Sequence, residues 1–188
     1  MFSLDKLPNI SDYREISNMP YLLLGILIVD IIVLFIIRYA GSGGKSLSLW
    51  YDKFGLLAVL ADIFSILIGF FIGQIIYTHY IAPYYGWNPI LFILLVVCVQ
   101  ILHDFAFYYF VILPIPLGHN AMIDTYKMYA EENGISIIIG DSLLIIASFL
   151  TTLFLKYLPD YANTSIAMIT IYTMTYILHT KTNFKKST

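Results

Sequence analysis

Residues 99–153, VQILHDFAFYYFVILPIPLGHNAMIDTYKMYAEENGISIIIGDSLLIIASFLTTL, decide the fold. Two apolar runs of membrane length enclose a polar stretch; the first carries Gln100, His103 and Asp104, the second Asp141 and Ser142. An acid at the centre of a bilayer helix costs about 2.5 to 3.5 kcal/mol on insertion scales. Each such Asp therefore needs a partner, a cavity or a function.

Composition sets the class. With 60% hydrophobic and 12% charged residues and a mean hydropathy of +0.82, a 188-residue chain cannot hide its apolar surface in one water-soluble core. Lipid is the expected main solvent and partner. A net charge of -2 with scattered Lys and Arg argues against nucleic acid. The single Cys98 excludes internal disulfides, CxxC redox pairs and thiolate zinc sites. GSGGKS at 41–46 is no phosphate loop, because the motif needs Gly where Tyr39 stands and no βα unit surrounds it. HExxH, GxSxG and closely paired histidines are missing, and His79, His103, His119 and His179 are scattered. No catalytic residue, cofactor or metal site is expected.

In chain order, residues 1–19 are a polar leader, expected to be exposed, without the apolar core of a signal peptide. A single bundle follows over 20–180, with spans at about 20–38, 54–77, 89–113, 135–157 and 164–179, the last the weakest. Residues 40–53 read as a flexible Gly/Ser linker ending in the aromatic anchor Trp50-Tyr51, and 78–88 as an aromatic hairpin. Asn88 and Asn120 read as N-caps, the first with Pro89 behind it. Residues 120–132 form a short amphipathic interfacial helix, and 181–188 a basic tail. The fold class is thus an all-α integral membrane bundle of four or five spans plus one interfacial helix.

On the second span Ala58, Asp62, Ser65, Gly69 and Gly73 share one stripe, and Gly69-x-x-x-Gly73 invites close approach of another helix. Five spans place three Lys and Arg on the N-terminal side (Lys6, Arg14, Lys156) against seven on the other (Arg38, Lys45, Lys53, Lys127, Lys181, Lys185, Lys186). The positive-inside rule then puts the N-terminus outside and the C-terminus in the cytoplasm. Both N-x-S/T sequons, at Asn9 and Asn163, fall outside, Asn163 too near the membrane to accept a glycan.

At 1.5 Å per residue from the cytoplasmic ends, Asp30 and Asp62 lie about 12 Å deep, Asp104 about 14 Å and Asp141 about 9 Å. Four helices each place one carboxyl in the same slab, with His103 the one base at that level and Arg38, Lys53 and Lys127 long enough to snorkel inward. One reading is a structural layer, with Gln100 and Ser142, that fixes helix register; another is a proton or cation pathway. A metal site is the weakest reading, since consecutive His103 and Asp104 diverge by about 100° on a helix.

At residues 50–63 (WYDKFGLLAVLADI), 100–112 (QILHDFAFYYFVI), 120–134 (NAMIDTYKMYAEENG) and 140–155 (GDSLLIIASFLTTLFL), the chain resembles small polytopic membrane proteins encoded by nucleocytoplasmic large DNA viruses of protists and algae. The resemblance covers roughly residues 50 to 155 and brings no catalytic residue. It implies a structural or assembly protein of the membrane beneath an icosahedral capsid, partnered by capsid or other virion membrane proteins, or by further copies of itself. The alternative expectation is a channel or proton-coupled transporter that uses the acidic layer.

Overall fold

The computed structural model describes residues 6–181. Lys185 and Lys186, with most of the basic tail, lie outside them. Helices form where the apolar runs demand them: α1 (Met19–Ala40), α2 (Gly44–Phe54), α3 (Leu56–Ile76), α4 (Ala82–Tyr85), α5 (Pro89–Phe107), α6 (Ala121–Asn133), α7 (Ser136–Leu155) and α8 (Asp160–Leu178). Among the described residues there is no strand. Two π-helical turns, Tyr77–Ile81 and Tyr108–Ile112, carry the third and fifth helices on. Four helical stretches are long and apolar enough to cross a membrane: Ile16–Ala40, Leu56–Tyr85, Pro89–Ile112 and Ser136–Leu155.

These four make a closed square. α1 packs against α3 and α7, and α5 packs against the same two, while α8 lies along the outside of α1. Small residues set the close approaches. A Cβ on Gly69 would lie 2.6 Å from Gln100 Oε1 and one on Gly73 2.7 Å from Val96 Cγ2, so the α3 stripe meets α5. The α1–α7 seam is tighter: a Cβ on Gly25 would sit 2.4 Å from Thr152 Oγ1, 3.1 Å from Thr152 N and 3.2 Å from Ser148 O.

α8 runs parallel to α1 over the same height. Tyr21 Oη donates to Asp160 Oδ1 at 3.0 Å at one end, and Arg38 Nη2 donates to Leu178 O at 3.1 Å at the other. The described residues therefore begin at one end of the bundle, the leader end, and run out at the opposite, tail end.

The leader is not exposed as its polarity suggests. Ile10 is fully buried, and the backbone is held by Gln74 Nε2 on Ile10 O (2.7 Å), Thr78 Oγ1 on Ser11 O (3.0 Å) and Trp87 Nε1 on Leu7 O (2.9 Å). Extended backbone has unspent carbonyls, and these side chains satisfy them, so residues 7–18 cap the leader end. Below them Phe92 gathers Tyr77, Trp87, Phe149 and Phe70 at ring-centroid distances of 5.4 to 6.4 Å. The expected aromatic hairpin is helical through Tyr85. Asn163 is buried, its amide donating to Leu155 O at 3.0 Å, so its side chain is engaged in packing.

The expected Gly/Ser linker is largely the helix α2. Gly43 and Gly44 take φ of 85° and 81° at its start, and the amides of Lys45 and Ser46 donate to Glu132 Oε1 and Oε2 at 2.9 and 2.7 Å. A carboxylate from α6 thus supplies the anion that a helix N-terminus favours. Contacts with Ser46 and then the Lys45 amide hold the Glu132 carboxyl below its ordinary 4.5. The clasp's contribution is therefore complete above that value and is lost as pH falls through the depressed one. Hydrogen exchange at the Lys45 and Ser46 amides, corrected for intrinsic rate, should rise at acidic pH in the native chain, and Glu132→Ala should show the fast exchange at neutral pH as well.

Candidate functional site

Each corner of the square contributes one carboxylate on the tail-end side of the aromatic core: Asp30 from α1, Asp62 from α3, Asp104 from α5 and Asp141 from α7. Asp30 is 2% exposed and lies within electrostatic reach of Asp62. Asp141 is within reach of Asp104, Asp62 and His103. Asp104 Oδ1 accepts from Gln100 Nε2 at 2.7 Å and lies 3.3 Å from His103 Nδ1, while the His103 ring stacks on Phe107. Ser142 turns back to its own helix, donating to Ile138 O at 2.7 Å, and takes no part in joining the carboxylates. Ala58 is buried and Ser65 half-buried on the α3 stripe.

The cations do not reach inward as expected. Arg38 is buried but pairs with Asp52 at 2.6 Å and with the end of α8; Lys127 Nζ donates to Ile115 O at 2.6 Å; Lys53 Nζ sits 5.3 Å from the Phe54 ring centroid. Among the described residues, no Lys or Arg bonds any of the four carboxylates. Asp30 Oδ2, Asp104 Oδ2 and Gln100 Oε1 are buried without a donor. These three describe a centre poor in donors, whereas a layer built to fix register by hydrogen bonds between spans would satisfy them.

Two short helices cover this centre from the tail end. α2 packs on α3 and α6, and α6 on α7, and the two are flanked by positive-φ glycines, Gly43, Gly44 and Gly55 around α2, Gly118 and Gly134 around α6. They carry the residues that the sequence did not single out for the site: Tyr51, Tyr126 and Tyr129. Tyr51 Oη donates to Asp62 Oδ2 at 2.8 Å. Burial first, then the charges of Asp62 and Asp30, push the Tyr51 phenol well up. Tyr126 is raised likewise, by burial and then by Asp141 and Asp104, and Tyr129 by burial and then by Asp141 and Asp62. All three therefore remain neutral over an acidic floor, which Tyr51 meets through its bond to Asp62.

No three His, Cys, Asp or Glu side chains among the described residues come close enough to share one metal ion. Comparison with protein-family models, with curated proteins and with solved structures gave no match.

Proposed function

We propose that the chain is a multi-pass membrane protein that takes up protons or small cations on the four-carboxylate centre and passes them toward or across the bilayer. One observation carries the reading: four carboxylates from four different spanning helices converge with no bonded Lys or Arg among the described residues. Carboxylates in hydrocarbon without counter-charge are sustained by bound protons or cations, and such groups mark ion and proton routes. The tyrosine-bearing lid faces the tail end, cytoplasmic on this reading, where Arg38, Lys45, Lys53, Lys127 and Lys181 also lie. The capped leader end, rich in packed aromatics, is the closed side. α8 counts as a fifth span here, since it matches α1 in height.

The test is flux. The purified chain in liposomes with an internal pH dye should dissipate an imposed proton or potassium gradient faster than empty vesicles. Asp62→Asn and Asp141→Asn should each cut that rate at least tenfold while the thermal midpoint is retained. Wild-type flux equal to that of empty vesicles would sink the proposal.

A second reading, a structural or assembly protein in the membrane of a large DNA virus, is supported by the resemblance at residues 50–155 and by the outward face of α8. There Met168, Ile169, Tyr172 and Tyr176 are between 62% and 68% exposed and unclaimed by the bundle. Crosslinks from Lys45 and Lys53 to capsid-type proteins in purified particles, with no measurable flux, would favour it.

A further inference from the structure

Between the end of α5, the side of α6 and the start of α7 lies a cavity of about 210 Å³, lined on one side by Asp104, Phe105, Tyr108, Tyr109 and Tyr126. Aliphatic residues complete the wall, and no Lys, Arg or His lines it. Tyr108 and Tyr109 have ring centroids 5.5 Å apart, nearly perpendicular, and Phe105 lies 6.5 Å from Tyr109 in a stacked arrangement. Tyr109 is 57% exposed and Phe105 43%, so the aromatic side is open to the surroundings.

Aromatic faces carry negative potential and attract cations that shed water readily; rings set at angles around a carboxylate are the recurring means of holding an alkylated ammonium. The neighbouring Asp141, felt at Tyr126 together with Asp104, adds to the negative field. A sodium or magnesium ion would want a shell of several oxygen ligands, and the Asp104 carboxylate and the tyrosine hydroxyls are the side-chain oxygens lining this cavity; an alkylated ammonium uses the ring faces as well. The cavity lies in the tail-end half of the bundle, where α5, α6 and α7 come together, so it is reached from the side that carries the lid.

We propose that this cavity binds an alkylammonium group, the cation being held against Tyr108, Tyr109 and Tyr126 beside Asp104. The inference rests on the acidic centre receiving cations, and it names the kind it admits from the tail end. The same chemistry is found in a free quaternary amine and in a choline headgroup, and the two sources are separable.

The full chain is titrated with tetramethylammonium chloride, with sodium chloride as control, following the thermal midpoint and intrinsic fluorescence. In parallel it is placed in nanodiscs of phosphatidylglycerol with and without phosphatidylcholine. Saturable stabilisation by tetramethylammonium supports a free-amine site; stabilisation confined to choline-lipid discs supports a headgroup site. In either arm Tyr109→Leu, at an exposed position that spares the core, and Asp104→Asn should weaken the effect on the order of tenfold. An equal response to sodium, or a response untouched by both variants, overturns the proposal. Because the readout is binding, proton flux surviving without ammonium binding removes this inference alone, while wild-type flux no greater than that of empty vesicles removes the reading it rests on.

Discussion

Gly25→Leu should lower the stability of the bundle by about 3 kcal/mol or more, at the upper end of what overpacking costs. In an aqueous protein a glycine inside a helix is a weakness, and a larger side chain improves propensity. Here the direction reverses, because the neighbours of a Cβ at Gly25 include backbone: Thr152 N at 3.1 Å and Ser148 O at 3.2 Å. Thr152 Oγ1, at 2.4 Å, could rotate away, but it donates to Ser148 O at 2.7 Å and would give up that bond. A helix backbone cannot give way locally, so α1 and α7 must move apart. If the bundle sits in a bilayer as proposed, no gain in hydrophobic burial repays the lost packing, since helix association in lipid depends on close contact. Thermal unfolding in detergent checks it: Gly25→Leu should fall far below wild type, whereas Gly140→Ala, where a Cβ meets nothing within 4 Å, should not. Equal midpoints for the two would show that the seam is softer than its geometry.

The comparison of sequence with structure turns on where a signal is local. The four apolar helices are legible because each is its own evidence, a run of Leu, Ile, Val and Phe, and the starts of α5 and of the amphipathic α6 are legible from Asn88 and Asn120, whose side chains accept from the amides two and three residues on. Depth arithmetic also brings Asp30, Asp62, Asp104 and Asp141 to one level, because rise per residue is nearly constant in a helix. What is illegible depends on partners distant in sequence. α2 begins in glycines and is closed by Glu132, 87 residues further on. The leader reads as solvated because its few apolar residues are scattered among polar and charged ones, yet side chains from α3 and the loop before α5 claim its carbonyls. Tyr51 reads as an interface anchor until α2 is seen to bend back over Asp62. Gly25 is hidden inside an aliphatic run, although Ser148 and Thr152, four apart on α7, are a small-residue signal that points to a close neighbour. The cations mislead most: their reach suggests snorkelling toward the carboxylates, and only packing reveals that Arg38 is engaged elsewhere.

Arg38 is the second position where a large effect is expected. Arg38→Ala should destabilise the chain by on the order of 3 kcal/mol, and the loss should appear first as exposure of α8. The ion pair itself is a minor part, because Asp52 is 56% exposed and stays solvated after its partner leaves. The larger parts are the cavity left by a side chain 1% exposed and the end of α8, whose Leu178 carbonyl would lose its donor. Guanidinium geometry matters, since Nη1 serves Asp52 while Nη2 serves Leu178. Lysine offers one ammonium at the end of a flexible stem and cannot hold both partners in that fixed fork. Arg38→Lys should therefore recover only part of the midpoint. The distinguishing measurement is limited proteolysis near residues 178–181 beside global unfolding. If the tail end of α8 becomes cleavable while the square of α1, α3, α5 and α7 still melts cooperatively, Arg38 is the pin that holds α8 to α1. If Ala and Lys variants melt like wild type with α8 protected, the Asp160 contact at the leader end and the apolar seam suffice, and Arg38's burial has another cause.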